Sequence, residues 1–299
     1  MLKNLSNLKL LLLMGGLLVV YLIVEWTGQT SRSTSYREVS VEIDTAKVTR
    51  LLVKAPDKVS DMSKVGEGWE LTLPTGKKVE ATEGSVKSSL GSLLSIKPSR
   101  LVAKKQDKWK DYQVDSAGTA VEVYEGGEKT LDLIIGRFNM EGQNSYSTFV
   151  RLAGEDEVYS AKNFMAFSVS ADPAAYRNSV LMRTNKDSIQ QVTFNYPDSA
   201  FVLTKESSGW SKNGQPADSA SVASFIGGLS FVSSRTFFDE TDQLVTPEVS
   251  VTIESTNSEV EVKAFEVNGE WILNSSENPE SYFNDQTLVD KLLKPSSGF

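Results

Sequence analysis

The chain is 299 residues long, 39% hydrophobic and 23% charged, with no cysteine and no histidine. Those two absences exclude a Ser-His-Asp triad, a histidine-held zinc, a thiol nucleophile and an iron–sulfur cluster. The net charge of −8, from 31 Lys+Arg against 39 Asp+Glu, argues against a nucleic-acid binder, because an acidic surface repels polyanions.

The first element in chain order is apolar. From Leu10 to Val24 every residue is apolar or glycine, and Lys3 and Lys9 precede the run. As a helix the stretch from Leu5 to Trp26 rises about 33 Å, enough to cross a hydrocarbon core of ~30 Å, with Lys9 able to snorkel and Tyr21 and Trp26 suited to an interface. The competing reading is a cleaved signal peptide. The run ends in Glu25-Trp26-Thr27-Gly28-Gln29, without a small-residue cleavage pattern, which favours an uncleaved anchor, and with no cysteine there is no lipoprotein site. Basic residues lie before the run, and Glu25, Arg32, Arg37 and Glu38 after it cancel, so the N-terminus is expected to stay inside. The expected layout is a cytoplasmic tail (1–9), a transmembrane anchor (10–26), a Ser/Thr-rich flexible linker (27–38) and a periplasmic remainder, a single-pass protein of a bacterial inner membrane. The lack of cysteine fits an oxidising compartment.

Beyond Val39 come short β-type runs at 48–53, 69–73, 120–124 and 131–135, with Gly126-Gly127 as a hairpin turn between the last two. Val86, Leu90, Leu93 and Leu94 fall at helical spacing behind Thr82, and Val222, Phe225, Ile226 and Leu229 do so behind Asp218. These two helices are related. Residues 85–93 (SVKSSLGSL) and 221–229 (SVASFIGGL) agree at five of nine positions, Gly68-Trp69 precedes the first as Gly209-Trp210 precedes the second, and Arg100 and Arg235 follow. The fold expected is α+β: a duplicated module of antiparallel strands with one amphipathic helix per copy, the first at 39–172 and the second at 173–299, joined near Asp172-Pro173. Further strands are expected at 146–152, 157–160, 249–253 and 271–273, with short helices at 163–168 and 287–293. Gly91 and Gly227 sit inside the helices, where a close helix–sheet approach would account for them.

The order of several residues resembles the domain-of-unknown-function 4340 family: Ile43-Asp44-Thr45-Ala46-Lys47-Val48, Gly68-Trp69, Thr82 with its helix, Asp111-Tyr112, Ile135-Gly136, Arg151-Leu152 and Val158-Tyr159. The resemblance covers most of the chain after Val39. Members of that family are commonly encoded beside ABC-transporter genes of the gliding-motility type, so the resemblance implies an extracytoplasmic accessory role; it brings no catalytic residues. The chain departs from the family at Gln113-Val114, where Gly-Leu is frequent, a difference that bears on the local turn.

Lys97, Arg100, Lys104, Lys105, Lys108 and Lys110 stand within fourteen residues against one acid, Asp107, with Trp109 among them. In an acidic chain this is the candidate contact for an anionic partner, a glycan or a lipid headgroup, beside the plainer reading of a solvated face. A third reading pairs it with Asp239, Glu240 and Asp242 of the second module. Trp69 and Trp210 are expected to be core residues. Gly76-Lys77-Lys78 lacks the spacing of a phosphate-binding loop, and no carboxylate pair is singled out, so no catalytic, cofactor or metal residue is assigned. The function expected is a membrane-anchored interaction protein, an accessory subunit of an ABC-type transporter complex. The alternative is an anchored binder, or a carboxylate-dependent hydrolase, of envelope glycans or lipids.

Overall fold

The computed structural model describes residues 41–143 and 145–299; the expected tail, anchor and linker lie outside them. Among the described residues no helix is long and apolar enough to cross a membrane. The chain divides into two compact units. One gathers 91–121 and 131–168 with the described residues up to Ile43; the other gathers 44–90, 122–130 and 169–299.

In chain order the first elements are β1 (Val48–Lys54), β2 (Val59–Val65), β3 (Gly68–Thr72), β4 (Lys78–Ala81), helix α1 (Glu83–Leu94), β5 (Pro98–Ala103), the single-turn helix α2 (Trp109–Tyr112), β6 (Thr119–Glu125), β7 (Glu128–Met140), β8 (Tyr146–Leu152) and β9 (Val158–Lys162). They form a nine-stranded sheet, β4-β3-β2-β1-β6-β7-β8-β9-β5. Period-2 alternation sets its register: Leu51 pairs with Met62 and Met62 with Leu71, and all three are fully buried on one face. Gly126 and Gly127 both take positive φ, +57° and +95°, the backbone that a two-residue hairpin between β6 and β7 demands.

The later elements are β10 (Val180–Arg183), β11 (Ile189–Tyr196), β12 (Ser199–Glu206), β13 (Gly209–Lys212), β14 (Gln215–Pro216), α3 (Ser219–Gly228), β15 (Phe231–Ser233), β16 (Val249–Ser255), β17 (Glu259–Val267), β18 (Glu270–Ser275), β19 (Asn278–Phe283) and α4 (Gln286–Leu292). Eight strands form a sheet in the order β14-β13-β12-β11-β16-β17-β18-β19, and β10 pairs with β15. Strand by strand, this order repeats β4-β3-β2-β1-β6-β7-β8-β9 of the first sheet. The architecture is mostly antiparallel β with few helices, built on two large sheets.

Both long helices bury most of the residues that the spacing picks out. Val86, Leu90 and Leu93 of α1 are buried, as are Val222, Phe225 and Ile226 of α3 and Leu229 just after it. Each such side chain contributes about 1.5–3 kcal/mol. The α3 residues join Leu288, Val289 and Leu292 of α4 in one core over the second sheet, where the rings of Phe194 and Phe201 stack with centroids 4.4 Å apart. Asp218 caps α3, accepting from the Ala220 N–H at 3.2 Å. Trp69 is buried and Trp210 packs half-buried against the second core.

Three expectations need correction. Leu94 ends its helix and is 38% exposed, because the chain leaves the α1 face there. Gly91 and Gly227 are not sites of close approach: a Cβ at either would meet nothing within 4 Å. The short helix expected at 163–168 is a single 3₁₀ turn, Ala166–Ser168.

Candidate functional site

The basic segment begins at Lys97 in the turn before β5 and continues through Arg100 on that strand. Lys104 and Lys105 follow the strand, Lys108 closes a 3₁₀ turn (Gln106–Lys108), and Trp109 and Lys110 open α2. All six basic residues are exposed, and among the described residues Lys108 is the one with an ion pair, to Asp111 at 3.4 Å. Each remains a hydrated charge available at the surface.

Trp109 serves differently. It is half-buried, its indole N–H donates to the Asp156 carbonyl at 3.0 Å, and the Arg151 guanidinium carbon lies 3.6 Å from its ring centroid. Arg151 on β8 is itself buried. Its Nε donates to the Val114 carbonyl at 3.0 Å, and its Nη1 reaches the carbonyls of Leu152, Ala153 and Glu155 at 3.0–3.1 Å. Burial pushes the guanidinium pKa below its ordinary value, against the opposing pull of Asp156, Asp132 and Asp115. The planar fork and the aromatic face together suit arginine rather than lysine.

This cluster explains why a one-turn helix holds its place. Gln113 ends α2 in the left-handed conformation (φ +55°), and its N–H donates to the Lys110 carbonyl at 3.2 Å, so the turn forms without a glycine. The α2 turn lies directly on β7. A Cβ on Gly136 would overlap the Tyr112 carbonyl and stand 2.6 Å from Val114 Cγ1, and one on Gly118 would stand 2.6 Å from the Gln113 carbonyl. Beneath, Ala103, Val114, Phe149 and Val158 form a small core with Tyr112, whose ring meets Phe149 edge-on at 4.7 Å.

The turn that Arg151 ties down is acidic: Glu155, Asp156 and Glu157 line a hollow of about 620 Å³ with Lys104, Leu101 and Tyr159. Of the basic segment, Lys104 lines this acidic hollow. Of the acidic trio of the second module, Asp239 holds Arg177 through two contacts of 2.9 and 3.0 Å and Glu240 accepts from Gln243.

The second unit carries a feature that the sequence reading missed, an open cleft of about 1250 Å³. The β3–β4 hairpin supplies Trp69, Lys77, Lys78 and Glu80, and the β18–β19 turn supplies Glu277 and Glu280. Most of its charges are tied to neighbours. Lys78 pairs with Glu70 at 2.7 Å, which raises its pKa; Lys77 reaches the Asp239 carbonyl and Thr241; Glu277 accepts from the Arg183 N–H. Among the described residues no group of three or more acidic side chains could hold a metal ion.

A family model described as Domain of unknown function (DUF4340) matches residues 69–247. No curated protein and no solved structure matches the chain.

Proposed function

Because the chain belongs to the DUF4340 family, we propose that it is a membrane-anchored interaction protein of the extracytoplasmic face, an accessory subunit of an ABC-type transporter complex. The observation that carries this reading is the array of exposed cations from Lys97 to Lys110, around β5 and α2. Five of the six have no ion-pair partner among the described residues, while the charges of the larger cleft mostly satisfy one another. A surface that leaves its cations hydrated is suited to electrostatic docking. The repeated strand order supports a duplicated module with copies at 39–172 and 173–299, each offering a broad sheet to a partner. The apolar run Leu10–Val24 would hold both copies at the inner membrane, and no cofactor enters this reading.

Affinity purification of the full chain from gently solubilised membranes tests it. Recovery of transporter subunits, lost at raised salt, is the expected result; recovery of the chain alone overturns it. A second reading, an anchored binder of envelope glycans, draws on the cleft beside Trp69. Saturable glycan binding that Glu80→Gln or Glu280→Gln weakens would favour that reading instead.

A further inference from the structure

Strand β4 ends the nine-stranded sheet, so one of its edges has no strand beside it. Register and hydrogen bonding say which groups that edge presents. The Leu73 N–H donates to the Lys77 carbonyl at 2.8 Å, and Leu71 and Trp69 stand opposite Val79 and Ala81, so in the antiparallel alternation Lys77, Val79 and Ala81 turn their backbone groups to β3. Lys78 and Glu80 turn theirs outward. Thr82 keeps the phase, since its N–H leaves the sheet and donates to the Tyr176 carbonyl at 2.6 Å. Among the described residues no group takes the outward N–H and C=O of Lys78 and Glu80.

That edge opens into the cleft of about 1250 Å³, whose lining comes from a single unit. Val79 lies on the core face of β4 and Lys78 and Glu80 on the other, and all three line the cleft, so it runs along the edge of the strand. The cleft's other strand, β19, has little backbone to offer. Asn274 Nδ2 donates to the carbonyls of Pro279 and Ser281 at 3.1 and 3.0 Å, the Phe238 N–H takes the Tyr282 carbonyl at 2.8 Å, and Pro279 has no N–H. Spare charge in the cleft is negative. Lys78 is held by Glu70 and Lys77 by Thr241, whereas Glu80 of β4 and Glu280 of β19 are exposed carboxylates with no ion pair among the described residues.

We propose that the cleft binds an extended peptide segment, which pairs with β4 as an added strand and sets a basic side chain beside Glu80 and an apolar one against Val79 and Trp69. The inference goes beyond the cation array, which belongs to the other unit, and does not depend on it. An open sheet edge is a template for main-chain pairing, and the guest's side chains then fall alternately on the two faces, which supplies the specificity. At ~3.3 Å per residue β4 spans about 13 Å, enough to pair with about four guest residues. A strand so short, with two charges on it, resists pairing with a whole sheet, and its place in a cleft favours a single segment.

Fluorescence anisotropy of the fluorescein-labelled peptide Ser-Lys-Val-Lys-Val-Lys-Ser against the purified full-length chain tests this at physiological salt. Saturable binding is expected, with a glutamate-for-lysine peptide and the Glu80→Lys variant each weakening it by about five- to tenfold, because like charges then stand opposite. Two further peptides carry N-methyl groups on the lysine or on the valine nitrogens. In either strand direction only one of these alternate sets of N–H groups points at β4, so one methylated peptide is expected to lose binding and the other to keep it. Equal effects of the two sets overturn the added strand. Binding that Glu80→Lys leaves unchanged overturns the placement in this cleft, and the lack of saturable binding overturns the proposal outright. Binding of chitotetraose where the peptides fail overturns it in favour of a glycan.

Discussion

Arg151 lies over the Trp109 ring, its guanidinium carbon 3.6 Å from the ring centroid, while its nitrogens hold four backbone carbonyls from two separate segments. One side chain thus fixes both the α2 turn and the acidic turn after β8. Removing it leaves buried carbonyls without donors, each at a desolvation cost. Arg151→Met is expected to lower unfolding stability by about 2–4 kcal/mol, and Arg151→Lys to recover only part of it, because a single ammonium cannot reproduce bonds made from both Nε and Nη1 of the guanidinium. Chemical denaturation of the two variants checks this; equal stability of wild type and Arg151→Met would show that the cluster is dispensable.

Backbone conformation yields a pair of opposite expectations. Gln113 is exposed and left-handed, so Gln113→Gly is expected to stabilise the chain by about 0.5–1 kcal/mol. Gly91→Ala and Gly227→Ala, in open helical positions, are expected to stabilise by a similar ~0.5–1 kcal/mol. Gly136→Ala should destabilise strongly, since its Cβ would overlap the Tyr112 carbonyl. Melting temperatures of the four variants decide whether the turn lies on β7 as described.

Acid should act through two aspartates. The Asp172 carboxyl sits below the ordinary range chiefly because Lys58 contacts it at 2.6 Å, and Asp285, the cap of α4, does so chiefly because the Ser234 hydroxyl donates to it at 2.6 Å. Both folded-state pKa values lie below the unfolded value of about 3.9, so the stability they contribute is complete above that pH and is lost as pH falls through the folded values. The melting temperature is expected to hold steady down to about pH 5 and to fall below about pH 4, with a shallower fall in Asp285→Asn. A profile unchanged by that substitution would show that Asp285 has no part in the acid response.

Replacing Lys104, Lys105 and Lys108 with glutamate separates docking from folding. These side chains are exposed, so stability is expected to change by less than about 0.5 kcal/mol per site, apart from the loss of the Lys108–Asp111 pair. Recovery of an anionic partner should fall, most at low ionic strength, because charges are screened beyond a Debye length of about 8 Å at physiological salt. Partner recovery unchanged at every salt concentration would leave these lysines as a solvated face.

The sequence by itself determined what short-range chemistry controls. Helical spacing located the buried faces of α1 and α3, Asp218 marked a cap, paired glycines marked the β6–β7 hairpin, and a run of cations without apolar alternation announced an exposed segment. Those features need only neighbours within a few residues. Tertiary structure decided the rest. Ser99 on β5 meets Ser160 on β9, 61 residues away, and that pairing splits one basic run, setting Arg100 in a hollow with Glu141 and Lys162 and Lys104 beside the acidic turn. Arg151 is satisfied by backbone carbonyls, which every residue carries and which leave no mark in the sequence. The Phe138 ring meets Tyr146 and Phe167 beyond a register shift between Ile135 and Phe138, and non-local pairing of that kind is fixed only when the sheet closes.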